Sequence, residues 1–372
     1  MKKIFIITGE YSGDKHASGI AREIFKTNPD VSIEAVGGSN LAAEGVKLFC
    51  NHEKMSAMGL SLKIIIDHIT LGKKVADYLI NDYKPDLVLL VDYGGFNLNI
   101  AKVLKKAGLK IFYYIPPQIW ASRKWRLNTV KKYIDKVITI YPFEIDMYKG
   151  IGVDAEFSGN PLVMQLPPMV DRESFLNEYG FDKEKKLVSI FPGSRIFEVK
   201  NLLKIFLKAA DIIAKKMPNV QFAICQAPTI KDEQITPFVP ENIKLLQGKN
   251  YELLAYSDAL ILASGTVALE ASLYDTPMII SYKGPELFYW IYLLVRCIDK
   301  VSLPNIILQK NVVPELVQHL AKPEIIANHI IELLTDEAKY QEMKNELANV
   351  RHFLTDKNSG VEAAKIILNE LQ

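Results

Sequence analysis

Short apolar runs alternate with helix-length segments from one end of the chain to the other, and no other feature narrows the possible folds so far. In the first half the runs fall at 2–8, 31–36, 86–92, 109–115, 136–140 and 154–157. In the second they fall near 187–191, 219–225, 242–246, 258–262 and 277–281. A run such as Leu87-Val88-Leu89-Leu90-Val91 has no polar face, so a strand there must be covered by helices on both sides. Such alternation gives parallel, doubly wound sheets. At 372 residues the chain is long enough for two cores. Leu166-Pro167-Pro168, followed by Asp171-Arg172-Glu173, interrupts the pattern midway and suits a linker, because proline stiffens the chain and blocks helix. The expected fold is α/β, with two Rossmann-like domains, 1–165 and 166–350, facing a central cleft, and a helical segment at 351–372.

Composition removes several function classes. A net charge of +2 gives no basic field for nucleic acid. The three cysteines are scattered, with no CxxC, which fits a reducing compartment and offers neither a disulfide framework nor a metal site. The apolar run at the start is soon interrupted by Gly9-Glu10, too early for a signal peptide. No stretch approaches the roughly 20 apolar residues of a spanning helix. A cytoplasmic protein is expected, with surface attachment to a membrane left open.

Ligands of doubly wound sheets bind beyond the carboxyl ends of the strands, so the chemistry is sought there. Two small-residue turns stand out in the second half: Pro192-Gly193-Ser194-Arg195 and Ser264-Gly265-Thr266. Each lies between an apolar run and a helical pattern, where backbone N–H groups and the positive end of a helix dipole receive phosphate. Arg195 can grip a diphosphate in two-pronged fashion, with Glu198 one helical turn on as a further candidate for substrate contact, or Glu198 can neutralise Arg195 in a plain ion pair. Glu270 lies about one helical turn beyond Thr266 and can accept two hydrogen bonds from a ribose diol, or simply compensate the dipole. Asn305, in Ser302-Leu303-Pro304-Asn305, can hold a sugar or phosphate oxygen.

In the first half, Gly9-Glu10-Tyr11-Ser12-Gly13-Asp14-Lys15-His16 follows the first strand; its glycines let backbone approach a ligand, and Ser12 can donate. Ser12 or Asp14 can equally cap a helix. Gly38 and Asn40 follow the second strand and Gly13 the first, all candidates for substrate contact. Asp92 closes the most apolar run and precedes Tyr93-Gly94-Gly95-Phe96-Asn97. A carboxylate there can act as general base on a substrate hydroxyl, or cap the next helix; His16 is the rival base. The rings of Tyr113, Tyr114 and Trp120 can line a sugar site or fill core. The segment from Met55 to Ile69 carries Leu62, Ile64, Ile65, Ile66 and Ile69 with lysines at its flanks. It is either a buried helix or an apolar membrane-contact surface with a basic rim.

Read in order, these motifs resemble the lipid-A-disaccharide synthase family, inverting glycosyltransferases of the two-Rossmann (GT-B) type. The resemblance is carried by Gly9-Glu10-Tyr11-Ser12-Gly13-Asp14, Met55-Ser56-Ala57-Met58-Gly59, Asp92 with Phe96-Asn97, Pro116-Pro117-Gln118-Ile119-Trp120-Ala121, Pro142-Phe143-Glu144, Pro192-Gly193-Ser194-Arg195, Ala263-Ser264-Gly265-Thr266 and Ser302-Leu303-Pro304-Asn305. Many members carry a second acidic residue where this chain has Gly94-Gly95, and Gly159-Asn160-Pro161 stands where Gly-His-Pro is common. The resemblance implies transfer from UDP-2,3-diacylglucosamine to 2,3-diacylglucosamine 1-phosphate, giving the β-1,6-linked disaccharide 1-phosphate and UDP. It also implies a peripheral enzyme on the cytoplasmic face of the Gram-negative inner membrane; Asp92 is the expected base for that reaction, and since nothing in the chain has metal-ligand spacing, no metal or other cofactor is expected. The C-terminal helices would pack back on the first domain or exchange in a homodimer. Two rival functions share parts of the pattern: a UDP-sugar epimerase or other GT-B transferase, and a non-catalytic nucleotide-dependent membrane-binding protein.

Overall fold

The computed structural model describes residues 1–51, 62–121, 124–286, 289–290, 293, 296–355 and 357–371, and of residues 62–67 the backbone alone. The chain forms two units: Met1–Met164 together with Leu354–Gln372, and Gln165–Phe353.

In the first unit strands and helices alternate as β1 (Lys3–Ile7), α1 (Tyr11–Thr27), β2 (Ser32–Gly37), α2 (Ser39–Ala43), β3 (Lys47–Asn51), α3 (Leu62–Asp77), β4 (Leu87–Val91), α4 (Gly94–Lys106), β5 (Ile111–Tyr114), α5 (Arg126–Tyr133), β6 (Lys136–Thr139), α6 (Phe143–Lys149) and β7 (Asp154–Phe157). A short α7 (Pro161–Gln165) ends it. The strands run parallel in the order β3-β2-β1-β4-β5-β6-β7. Strand order reverses between β1 and β4, whose ends are level: Ile7 pairs with Leu90.

The second unit repeats the plan with α8 (Arg172–Glu178), β8 (Lys186–Phe191), α9 (Ile196–Lys216), β9 (Val220–Gln226), α10 (Asp232–Ile235), β10 (Lys244–Gln247), α11 (Asn250–Tyr256), β11 (Ala259–Ala263), α12 (Val267–Ser272), β12 (Met278–Tyr282), α13 (Leu303–Ile307), β13 (Glu315–Val317), α14 (Pro323–Thr335) and α15 (Glu337–Leu354). Its parallel order is β10-β9-β8-β11-β12-β13, and Phe191 at the tip of β8 pairs with Leu262 of β11. The reversal here lies between β8 and β11. All five residues of β4 and of β11 are buried, as two-sided cover requires.

Two strands, β3 and β13, were not legible as apolar runs. Both are sheet edges, only partly covered, so neither needs a continuous apolar sequence. The chain re-enters the first unit at Leu354 and ends in α16 (Ser359–Glu370), whose start is capped by the Asn358 carboxamide oxygen, accepting from Gly360 N at 3.0 Å and Val361 N at 3.3 Å. Helix α16 packs on α1, and Ala363, Ala364 and Ile367 join Ile6, Ile20 and Ile24 in one buried cluster on that face of the sheet. Ile367→Ala should therefore destabilise the first unit by about 2–5 kcal/mol, read as an earlier urea transition of that unit.

Candidate active site

In the first unit the site grows from the end of β4. Asp92 and Tyr93 both adopt left-handed backbone, with φ of 50° and 49°, which a non-glycine residue holds only when its surroundings impose it. The Asp92 carbonyl supplies that constraint. It accepts from Asn97 Nδ2 at 2.8 Å and from the Tyr113 hydroxyl at 2.7 Å. Asn97 also donates to Val91 O at 3.2 Å, so one fully buried amide ties the strand tip to the first turn of α4. Burial raises the Asp92 carboxyl from its ordinary value, and a hydrogen bond from the Tyr93 backbone partly opposes the shift. A methyl built on Gly13 would sit 3.7 Å from Asp92 Cβ, so the first turn of α1 lies against the carboxylate residue.

Around this centre several expectations change. Gly9 is required by the protein itself: a Cβ there would lie 2.1 Å from the Tyr93 ring. Asp14 does not cap α1. Its buried carboxylate reaches across the sheet to accept from Gly38 N at 2.6 Å, Asn40 N at 2.9 Å and Asn40 Nδ2 at 2.9 Å. Gly38 and Asn40 are thereby tied down as structure, and only Ser12, exposed in the first turn of α1, keeps an open hydroxyl beside Gly13. Burial and the neighbouring Lys15 lower His16 to about 4, leaving it neutral and weakly basic at neutral pH. Trp120 is core: its indole N–H donates to Glu144 Oε1 at 2.9 Å, and burial raises that carboxyl to about 8. Tyr113 and Tyr114 are likewise buried.

In the second unit, the two turns meet in a cavity of about 420 Å³ lined by Gly193, Ser194, Arg195, Ser264, Thr266 and Glu270, among others. The N–H groups of Gly265 and Thr266 donate to no protein acceptor among the described residues, whereas Ser264 N–H is used by Ser281 O at 2.9 Å. Glu270 lies mostly buried with no hydrogen bond or ion pair among the described residues, and burial alone raises its carboxyl to about 7. The first turn is partly self-satisfied. Glu198 folds back so that Oε2 accepts from Ser194 N at 3.0 Å and Arg195 N at 3.2 Å, which leaves no room for a Cβ on Gly193. Glu198, which also lines the cavity, thus braces the turn. The Arg195 side chain is 76% exposed, with one contact at 3.2 Å to Glu198 Oε1.

Asn305 departs from expectation altogether. Its Oδ1 accepts from Val312 N and Val313 N, and its Nδ2 donates to Val313 O and Glu315 Oε1, so a buried amide closes its own loop. Of the membrane-contact candidates, the side chains of Leu62, Ile64, Ile65 and Ile66 lie outside the described residues. Ile69 is exposed and borders an apolar groove of about 710 Å³ between α3 and α4 that reaches Tyr93. Among the described residues no helix is long and apolar enough to cross a membrane, and no cluster of three or more His, Cys, Asp or Glu could hold a metal. Sequence reasoning missed the Asn97–Tyr113 clamp, since Tyr113 reads as one more apolar-run aromatic.

Two doubly wound parallel sheets, each with its chemistry at the strand-order reversal, define the architecture of GT-B glycosyltransferases. UDP-GlcNAc 2-epimerase from Neisseria meningitidis shares it, with a TM-score of 0.64 at 15% identity over 100% of this chain and 99% of that one. So does a glycosyltransferase from Rickettsia africae, at a TM-score of 0.57 and 13% identity over 99% and 97%. Such low identities show the fold alone. The sequence is more specific: the lipid-A-disaccharide synthetase family model matches residues 4–369. Lipid-A-disaccharide synthase of Syntrophus aciditrophicus is 36% identical over 99% of this chain and 97% of its own length. That of Coxiella burnetii is 33% identical over 99% and 98%. The chain belongs to the lipid-A-disaccharide synthase family and is a glycosyltransferase.

The unpartnered Glu270 makes a prediction about the empty protein. A carboxyl whose pKa is raised from 4.5 to about 7 on folding keeps its full stability below pH 4.5 and loses it as pH rises toward 7. Glu270→Gln should therefore stabilise the protein at pH 8 by up to about 3 kcal/mol and leave it unchanged near pH 4, by urea titration at both values.

Proposed function

We propose that this enzyme joins UDP-2,3-diacylglucosamine to 2,3-diacylglucosamine 1-phosphate, with Asp92 as general base and the second-unit cavity as the UDP site. The observation that carries the reading is that cavity: two turns, two free amides, an exposed arginine and an unpartnered carboxylate, a donor and acceptor set suited to a nucleoside diphosphate. Arg195 and the amides of Gly265 and Thr266 would bind the diphosphate, and Glu270 the ribose diol.

In the reaction the acceptor 6-hydroxyl attacks the anomeric carbon of the donor from the face opposite UDP. The O6–C1 bond forms, the bond from C1 to the diphosphate oxygen breaks, and UDP leaves with its electron pair. The hydroxyl proton passes to Asp92, and charge growing on the leaving group meets Arg195 and the free amides, with no resident metal required. The apolar groove between α3 and α4, with Ile69 and Val103 at its exposed edge, suits acyl chains and the surface of the inner membrane. Asn97 and Tyr113, by fixing the Asp92 backbone, set where the base points.

Asp92→Asn should lower kcat by about 10³-fold while the UDP Kd stays unchanged; turnover near the normal rate would move the base elsewhere. Arg195→Ala should weaken UDP binding at least about 10-fold, measured by calorimetry with and without EDTA. Unchanged UDP affinity would remove Arg195 from the phosphate role, and loss of UDP affinity in EDTA would show that a metal takes part.

A further inference from the structure

Arg126, the first residue of α5, is half-buried beside the Asp92 turn and has no ion-pair or hydrogen-bond partner among the described residues. Its Nη1 lies 3.6 Å from where a Cβ on Gly94 would stand, and the same position would be 2.7 Å from Pro117 Cβ. Pro117 and the guanidinium thus flank a backbone that comes two residues after Asp92, a chain distance of at most about 7 Å. Beyond Gly94 the surface opens: a Cβ on Gly95 would meet nothing within 4 Å. The first turn of α5 holds no acidic residue, and Lys124 is exposed nearby. A half-buried guanidinium without a counter-charge among the described residues keeps its donors free for an arriving anion.

The transfer reaction proposed above, on which this inference rests, supplies such an anion. The acceptor carries its attacking hydroxyl on C6 and its phosphate on C1, at opposite ends of one pyranose ring. A base at Asp92 therefore calls for a phosphate anchor about one sugar away in the same unit, and Arg195 belongs to the donor cavity of the other. We propose that Arg126 is the binding residue for the phosphomonoester of the acceptor, and that it makes the enzyme select phosphorylated over unphosphorylated acceptors. The open edge at Gly94–Gly95 leaves room for a tetrahedral phosphate against the guanidinium fork, which matches phosphate oxygens in pairs.

The test is steady-state transfer by the full chain to the diacylglucosamine 1-phosphate acceptor and to the same lipid after phosphatase treatment. Arg126→Ala should raise KM for the phosphorylated acceptor about 30-fold, with kcat within twofold and KM for the UDP-donor unchanged. On the dephosphorylated acceptor, wild type and variant should be indistinguishable. Arg126→Lys, which keeps the charge without the fork, should fall between them. Equal losses on both acceptors, or a change in donor KM, would overturn the assignment while leaving the transfer reaction standing. A wild-type enzyme that turns over neither acceptor would overturn the reaction and this assignment together.

Discussion

The reversal of strand order in each sheet is the constraint from which the rest follows. Parallel hydrogen bonding between β1 and β4, and between β8 and β11, brings together strand tips that are about eighty residues apart in the first unit and about seventy in the second. At the tip of such a pair the helices that follow depart to opposite faces, so the loops separate and leave backbone exposed. Asp92 beside the start of α1, and the Gly193–Arg195 turn beside Ser264–Thr266, are both products of that geometry. Neither needs a special loop; each needs only that its two strands be neighbours and level.

The fold was largely legible because a strand covered on both faces writes itself as an unbroken apolar run. The exceptions, β3 and β13, are edges, where one side lacks a partner strand and the sequence is free to be mixed. The candidate residues were sought at strand ends, where Asp92, Arg195 and Ser264–Thr266 do lie. What could not be read was which polar groups satisfy one another. Asp14, Glu198 and Asn305 all look like ligand groups or caps in sequence, yet each carboxylate or amide is engaged by backbone from a neighbouring loop. Those pairings depend on three-dimensional proximity, which a single sequence does not encode locally. Arg126 gave no signal for the converse reason: its distinction is that it has no partner among the described residues.

The groups left unsatisfied are therefore more informative than those that are satisfied. Most buried polar atoms in this protein are paired, as the general cost of desolvation demands. Among the described residues, Glu270 and Arg126 are partly buried charges without a protein counter-charge, one acidic and one basic, in different units. Asp92 adds strained backbone to a desolvated carboxyl, held by the Asn97 and Tyr113 donors.

The return of the chain through Leu354 to α16 carries a consequence for how the molecule is made. The first unit contains both ends of the described chain, whereas the second is continuous. On the ribosome, all strands of the first sheet and α1 emerge early, but the flank of α1 that α16 covers stays open until α16 is synthesised, so the second unit, though later in sequence, is complete first. During that interval the apolar contacts that Ala363, Ala364 and Ile367 will make are missing, and the nascent chain is exposed to misassembly on the side that the final helix closes.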